Sequence, residues 1–218
     1  FSKSFLEWFS ETDSFAVFRT SSSLPKSISG IENKALLDSK SLGTSGETGL
    51  IVVGSHVGKS SSQLAVLLEN EEIIGVEVDI EKAIAEDWNY LDDIISKIEV
   101  IRADGKTPAI YTSRKEKRMD DEHERLLAGR KISDFMVSLV RKLTYKPAYI
   151  LAKGGITSFD IMKKSLEIEI SEVLGQIIPG VPVIKTDSAN RFPDIPYIIF
   201  PGNVGDEDSL KKVYHLLK

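Results

Sequence analysis

The chain has 218 residues with 41% hydrophobic and 28% charged residues and a formal net charge of -5, ordinary globular values in a length that can hold one large α/β domain or a domain plus an appendage. That acidic balance argues against a nucleic-acid or membrane-surface partner, both of which need clustered Lys and Arg. The absence of Cys excludes disulfides, thiolate zinc sites and Cys nucleophiles; the scattered His56, His123 and His215 argue against a His-based metal site. Without a signal pattern or an apolar run of about 20 residues, a reducing, cytoplasmic setting is expected. Beginning at Phe1, the chain reads as a fragment or a trimmed form of something longer.

Residues 1–20 carry Phe5, Leu6, Trp8, Phe9, Phe15, Val17 and Phe18, too apolar for a tail. Residues 1–30 are therefore read as a remnant of an upstream domain, and the Ser-, Gly- and Lys-rich stretch 31–49 as a linker. The main domain is expected over 50–218. There, apolar runs predict strands at 50–53, 73–78, 108–112, 148–152, 168–174, 181–186 and 197–200. Helical spacing predicts helices at 60–68, at 80–101 with a break near Trp88, and at 121–143, 158–166 and 209–217. Alternation of this kind implies a mostly parallel sheet with helices on both faces and ligand loops at the carboxyl edge of the strands.

Three glycine-bearing segments follow predicted strands. In Lys153-Gly154-Gly155-Ile156-Thr157-Ser158, the Gly pair lets backbone approach a ligand closely, and the following helix start offers unpaired N–H groups and partial positive charge to an anion. Thr157 or Ser158 could cap the helix or meet the same phosphate, and Lys153 adds charge. An ordinary strand-to-helix turn is the plain alternative. The segment Gly54-Ser55-His56-Val57-Gly58-Lys59-Ser60 has three residues between its glycines where a P-loop needs four, so a capped helix start is the better reading. Ser55, a small hydroxyl after a strand-end Gly, is well placed to touch a nucleotide, and Lys59 reads as a solvated first-turn lysine. In Pro201-Gly202-Asn203-Val204-Gly205-Asp206-Glu207-Asp208, Gly202 and Gly205 permit tight turns; the carboxylates suit a helix N-terminus better than they suit Mg²⁺. Three such loops on one edge favour a phosphorylated ligand. Arg114, in the run 114–118, reads as part of a solvated charged loop, and Trp88 and Tyr90 as packing residues.

The stretches Gly54-Ser55-His56-Val57, Ala152 to Ser158, Val173 to Pro182 and Phe200 to Glu207 resemble the C-terminal nucleotide-binding domain of the four-carbon acid sugar kinases, formerly a family of unknown function. The likeness covers most of 50–218, and residues 15–30 resemble the end of that family's N-terminal, sugar-binding domain. The resemblance implies ATP, with Mg²⁺, as cofactor and transfer of its γ-phosphoryl group to a hydroxyl of a threonate- or erythronate-type sugar acid. It implies nucleotide contacts from Ser55, from Gly154, Gly155, Ile156 and Thr157, and from Gly202 with Gly205. Many relatives carry an acidic residue where Ile156 stands, so only the backbone role carries over at that position. The catalytic base and metal ligands are not assigned, and the N-terminal domain of the same protein is the implied partner; a homo-oligomer is compatible with this reading. A non-catalytic module that senses a nucleotide or sugar phosphate is the alternative, and a P-loop-type hydrolase a third.

Overall fold

In the computed structural model, residues 2–12, 15, 17–20, 23–32, 34–54, 58–113 and 121–218 are described. The chain divides into two compact units, Phe1–Ala35 and Leu36–Lys218. The first holds two short helices, α1 (Ser2–Ser10) and α2 (Ser23–Ser29). Its cohesion is aromatic: Phe5 packs against Trp8, Phe9 and Phe18, with ring centroids 5.8–6.0 Å apart.

The second unit begins within the stretch read as a linker. Residues 36–49 include a short helix, α3 (Ser39–Leu42), closed by reciprocal bonds between Asp38 and Ser41. Leu37 N donates to Gln176 O and Gly46 N to Lys218 O, so backbone bonding ties this segment to the rest of the unit.

Seven strands follow: β1 (Leu50–Val53), β2 (Ile73–Val78), β3 (Thr107–Thr112), β4 (Ile150–Lys153), β5 (Glu172–Ile178), β6 (Val181–Lys185) and β7 (Pro196–Phe200). They form one sheet in the order β2-β3-β1-β4-β7-β6-β5. The five strands from β2 to β7 in that order run parallel, while β6 and β5 are added antiparallel.

The helices are α4 (Gly58–Leu68), α5 (Ile80–Ile84), α6 (Trp88–Ala103), α7 (Glu122–Lys142), α8 (Gly155–Asp160) and α9 (Ser209–Leu217). Alternate residues of β1 sort the core into two layers. Ile51 and Val53 pack with Leu64 and Leu67 of α4 and with Leu210, Val213 and Tyr214 of α9. Leu50 and Val52 pack with Leu91, Ile94 and Ile98 of α6 and with Phe135, Leu139 and Val140 of α7. Helices therefore cover both faces.

The expected break near Trp88 is a tight turn: Glu86 adopts φ 56° and the Asp87 carboxylate accepts the Tyr90 N–H to start α6. Trp88 and Tyr90 both stack on Phe135, which fits their reading as packing residues. The expected strand at 168–174 is a correction. The strand is β5, at 172–178; it lies at the sheet edge, where its outer residues face water and blur the apolar pattern. It returns into β6 through Pro179-Gly180, with Gly180 at φ 83° and its N–H held by Gln176 Oε1 at 2.9 Å. The helix expected at 158–166 begins earlier, at Gly155, and closes in a π-helical turn, Ile161–Ser165.

Candidate functional site

The parallel register sets Val53, Lys153 and Phe200, the last residues of β1, β4 and β7, side by side. The loops that begin at Gly54, Gly154 and Pro201 thus emerge together at the carboxyl edge. From β1 the chain passes to α4 on one face, and from its neighbour β4 it passes to α8 on the other. Adjacent strands whose connections part in this way open a crevice, the usual ligand position in such sheets.

Gly154 N donates to Phe200 O at 2.9 Å, and the residue turns at φ 112°, a region open mainly to glycine. Helix α8 then starts with Gly154 as its N-cap and no side-chain cap, so neither Thr157 nor Ser158 takes that role. Ser158 Oγ instead donates back to the carbonyls of Gly154 and Gly155, at 2.7 and 3.1 Å. Its own carbonyl accepts the buried Tyr197 hydroxyl at 2.6 Å. The first-turn N–H groups of α8 lie outside the helix's own bonding pattern.

Two glycines bound this opening differently. A Cβ at Gly54 would lie 2.2 Å from Thr157 Oγ1, so Gly54 is what lets the β1 and β4 loops touch. A Cβ at Gly155 meets nothing within 4 Å among the described residues. The fold does not require glycine there, but it leaves open space above that backbone. Ile156 is 75% exposed.

The loop after β7 is held by three side chains, Lys153, Lys59 and Gln63, whose bonds to it local sequence does not announce. Lys153 Nζ donates to the carbonyls of Pro201 (2.9 Å) and Gly202 (3.2 Å). Lys59 Nζ donates to those of Asn203 (3.3 Å) and Gly205 (3.1 Å), so it is not merely a solvated lysine. Gln63 Nε2 donates to those of Val204 (3.1 Å) and Asp206 (2.5 Å). Six successive carbonyls are engaged. Because C=O and N–H point oppositely across a trans peptide, each following amide is turned away from the donor that holds its carbonyl. Gly205, at φ 79°, packs so closely on Ser209 that a Cβ would meet its Oγ at 2.3 Å.

Lys153 is 0% exposed, its ammonium 4.4 Å from the Phe200 ring centroid. Burial, assisted by repulsion from Lys59, lowers its pKa to about 8. Asp206 is held below the usual carboxylate range, chiefly by the bond from Ser209 Oγ at 2.6 Å. Among the described residues no three His, Asp or Glu side chains gather as a metal cage. Gly154, Gly155, Ile156 and Thr157 line one side of the crevice, and the loop bearing Gly202 and Gly205 follows the adjacent β7. Ser55, His56 and Arg114 lie outside the described residues. Among those described, no helix is long and apolar enough to cross a membrane.

A doubly covered sheet with glycine loops at a shared crevice defines an α/β ligand-binding domain. The model of a family described as "nucleotide-binding C-terminal domain" matches residues 50–210, and the chain belongs to that family, the one its glycine motifs resemble. No protein of curated function matches the sequence. Among solved structures, the fold is shared with a Haemophilus influenzae protein of the DUF1537 family (22% identity, TM-score 0.63, covering 80% of this chain and 41% of that one). It is shared also with a DUF1537 domain from Bordetella bronchiseptica, a domain-swapped dimer with bound citrate (16% identity, TM-score 0.60, 78% and 41% covered). A third, from Salmonella typhimurium LT2 and described as a candidate tRNA synthase, is 18% identical with a TM-score of 0.61 over 76% and 40% of the two chains. The chain thus spans about two fifths of the length of these solved proteins.

Proposed function

We propose that this chain is the nucleotide-binding part of an ATP-dependent kinase that phosphorylates a hydroxyl of a four-carbon sugar acid of the threonate or erythronate type. The observation that carries the reading is the uncapped start of α8 at the carboxyl edge of the sheet, where a Cβ at Gly155 would meet no described atom within 4 Å. Membership of a nucleotide-binding family supports a nucleotide ligand, and the motif resemblance suggests the acceptor class. Backbone amides from Gly155, Ile156 and Thr157 would hold the phosphates, with Ser55, Gly154, Gly202 and Gly205 completing the contacts.

Such groups stabilise charge that spreads over a transferring phosphoryl group without reorganising when it forms. In the reaction the bond from the γ-phosphorus to its bridging oxygen breaks, the bond to the sugar hydroxyl oxygen forms, and the hydroxyl proton leaves to a base. That base and the clamp for the substrate carboxylate belong to an N-terminal domain of the longer protein, of which residues 1–30 are the remnant and 31–49 the connection. Mg²⁺ would arrive on the nucleotide's phosphates, the mode in which this ion commonly enters kinases. The cytoplasm, where ATP is abundant, is the expected setting. Self-association is part of the proposal, since the Bordetella relative dimerises.

Coupled-assay turnover of threonate and erythronate tests the kinase reading. The longer protein is expected to phosphorylate one of them, and this chain alone to bind nucleotide without turnover. Nucleotide binding by the longer protein with no transfer to any sugar acid would favour a sensing module instead.

A further inference from the structure

Lys153 stands out among the cations of the domain for its environment. It ends the central strand β4, is fully buried, and satisfies its ammonium with two backbone carbonyls and an aromatic face. Among the described residues no carboxylate pairs with it. The charged groups on the elements around it do not compensate. From α4 comes Lys59, a second cation bonded to the same loop. In the loop, the Asp206 carboxylate is turned to Ser209. On α8, Asp160 accepts from Ser133 and pairs with Lys164 at 3.4 Å. β1 and β7 contribute only Val53 and the Phe200 ring. A buried ammonium without a counter-ion is costly, because carbonyl dipoles replace only part of its hydration. Its neighbour in sequence is Gly154, where the crevice begins.

We propose that Lys153 is a positioning residue of the nucleotide site, whose buried ammonium pins the loop after β7 to the end of β4 and balances the phosphate charge of a nucleotide entering the crevice. The inference rests on the nucleotide reading of the same crevice and adds to it a residue and an electrostatic role. The loop carbonyls at 201 and 202 orient toward Lys153 and the amides that follow point the opposite way, so the same contact sets the loop's shape. With a pKa near 8 when the crevice holds no anion, Lys153 is largely neutral above that pH. A polyphosphate stabilises its protonated form, and binding in alkaline solution must then draw a proton from the buffer.

Calorimetric titration of the 218-residue chain with a non-hydrolysable ATP analogue and Mg²⁺ at pH 8.5, repeated in buffers of different ionisation enthalpy, counts that proton. Phosphate groups of the analogue are fully ionised at this pH, so uptake reports on the protein. Wild type is expected to take up roughly half a proton or more per nucleotide bound. Lys153→Met is expected to bind about tenfold more weakly and without uptake. Lys153→Arg, whose charge does not titrate in this range, should also bind without uptake and serves where the Met variant fails to fold. Binding by wild type without proton uptake, or uptake that persists in either variant, overturns the role of Lys153 while leaving the nucleotide site standing. Absence of any binding by wild type overturns the nucleotide reading and this inference with it.

Discussion

At the level of single residues, glycine has different meanings at different points of the crevice. Gly54 is required by packing: replacing it with Ala forces Thr157 away and is expected to lower stability by about 1–3 kcal/mol, measurable by urea unfolding. Equal midpoints for wild type and Gly54→Ala would show that the two loops do not touch as described. Gly155 faces open space, so a side chain there should spare the fold and obstruct a ligand. The turn at Gly154 was legible in the Gly pair, because its φ of 112° is open mainly to glycine. Its partners were not. Lys59, Gln63 and Lys153 reach the loop after β7 from positions 48 to 146 residues away, and nothing in local spacing announces such bonds. Lys153 is legible as a charge, but its burial depends on where β7 pairs.

A titration follows from that burial. The folded pKa of Lys153, about 8, lies below the ordinary 10.5, so the unfolded chain binds more protons between these values and this residue's contribution to stability rises with pH across that window. Denaturant unfolding of wild type, compared with Lys153→Met from pH 8 to 10.5, should show wild type gaining relative to the variant as pH rises. A constant difference would mean that Lys153 titrates as it does in water.

Among the elements, continuous apolar runs bounded by Gly or polar residues made β1, β3, β4 and β7 readable, because strands buried on both faces admit little else. β5 was read too early in the chain because an edge strand is exposed along one side and blurs the apolar pattern. The π-helical end of the helix begun by α8 has no composition signature. The joint between α8 and β7 is testable: Tyr197→Phe removes a buried hydroxyl that donates to Ser158 O at 2.6 Å and should cost about 1 kcal/mol. The cap of α7 is another case, since Asp121 Oδ1 accepts the N–H groups of His123 and Glu124. Asp121→Ala should lower stability by about 1 kcal/mol, and an unchanged unfolding midpoint would argue against the cap.

For the whole molecule, both core layers are built from residues 50–217, so the second unit contains what it needs to fold. The chain spans about two fifths of the length of its solved relatives. The central claim is that phosphates lie over the Gly155 backbone. Calorimetric titration of wild type and Gly155→Val with a non-hydrolysable ATP analogue and Mg²⁺, alongside their thermal midpoints, tests it most directly. Closely similar midpoints and at least a tenfold loss of affinity in the variant are expected, since the new side chain occupies the open space a phosphate would use; equal affinities in two equally folded proteins would contradict a phosphate at that backbone.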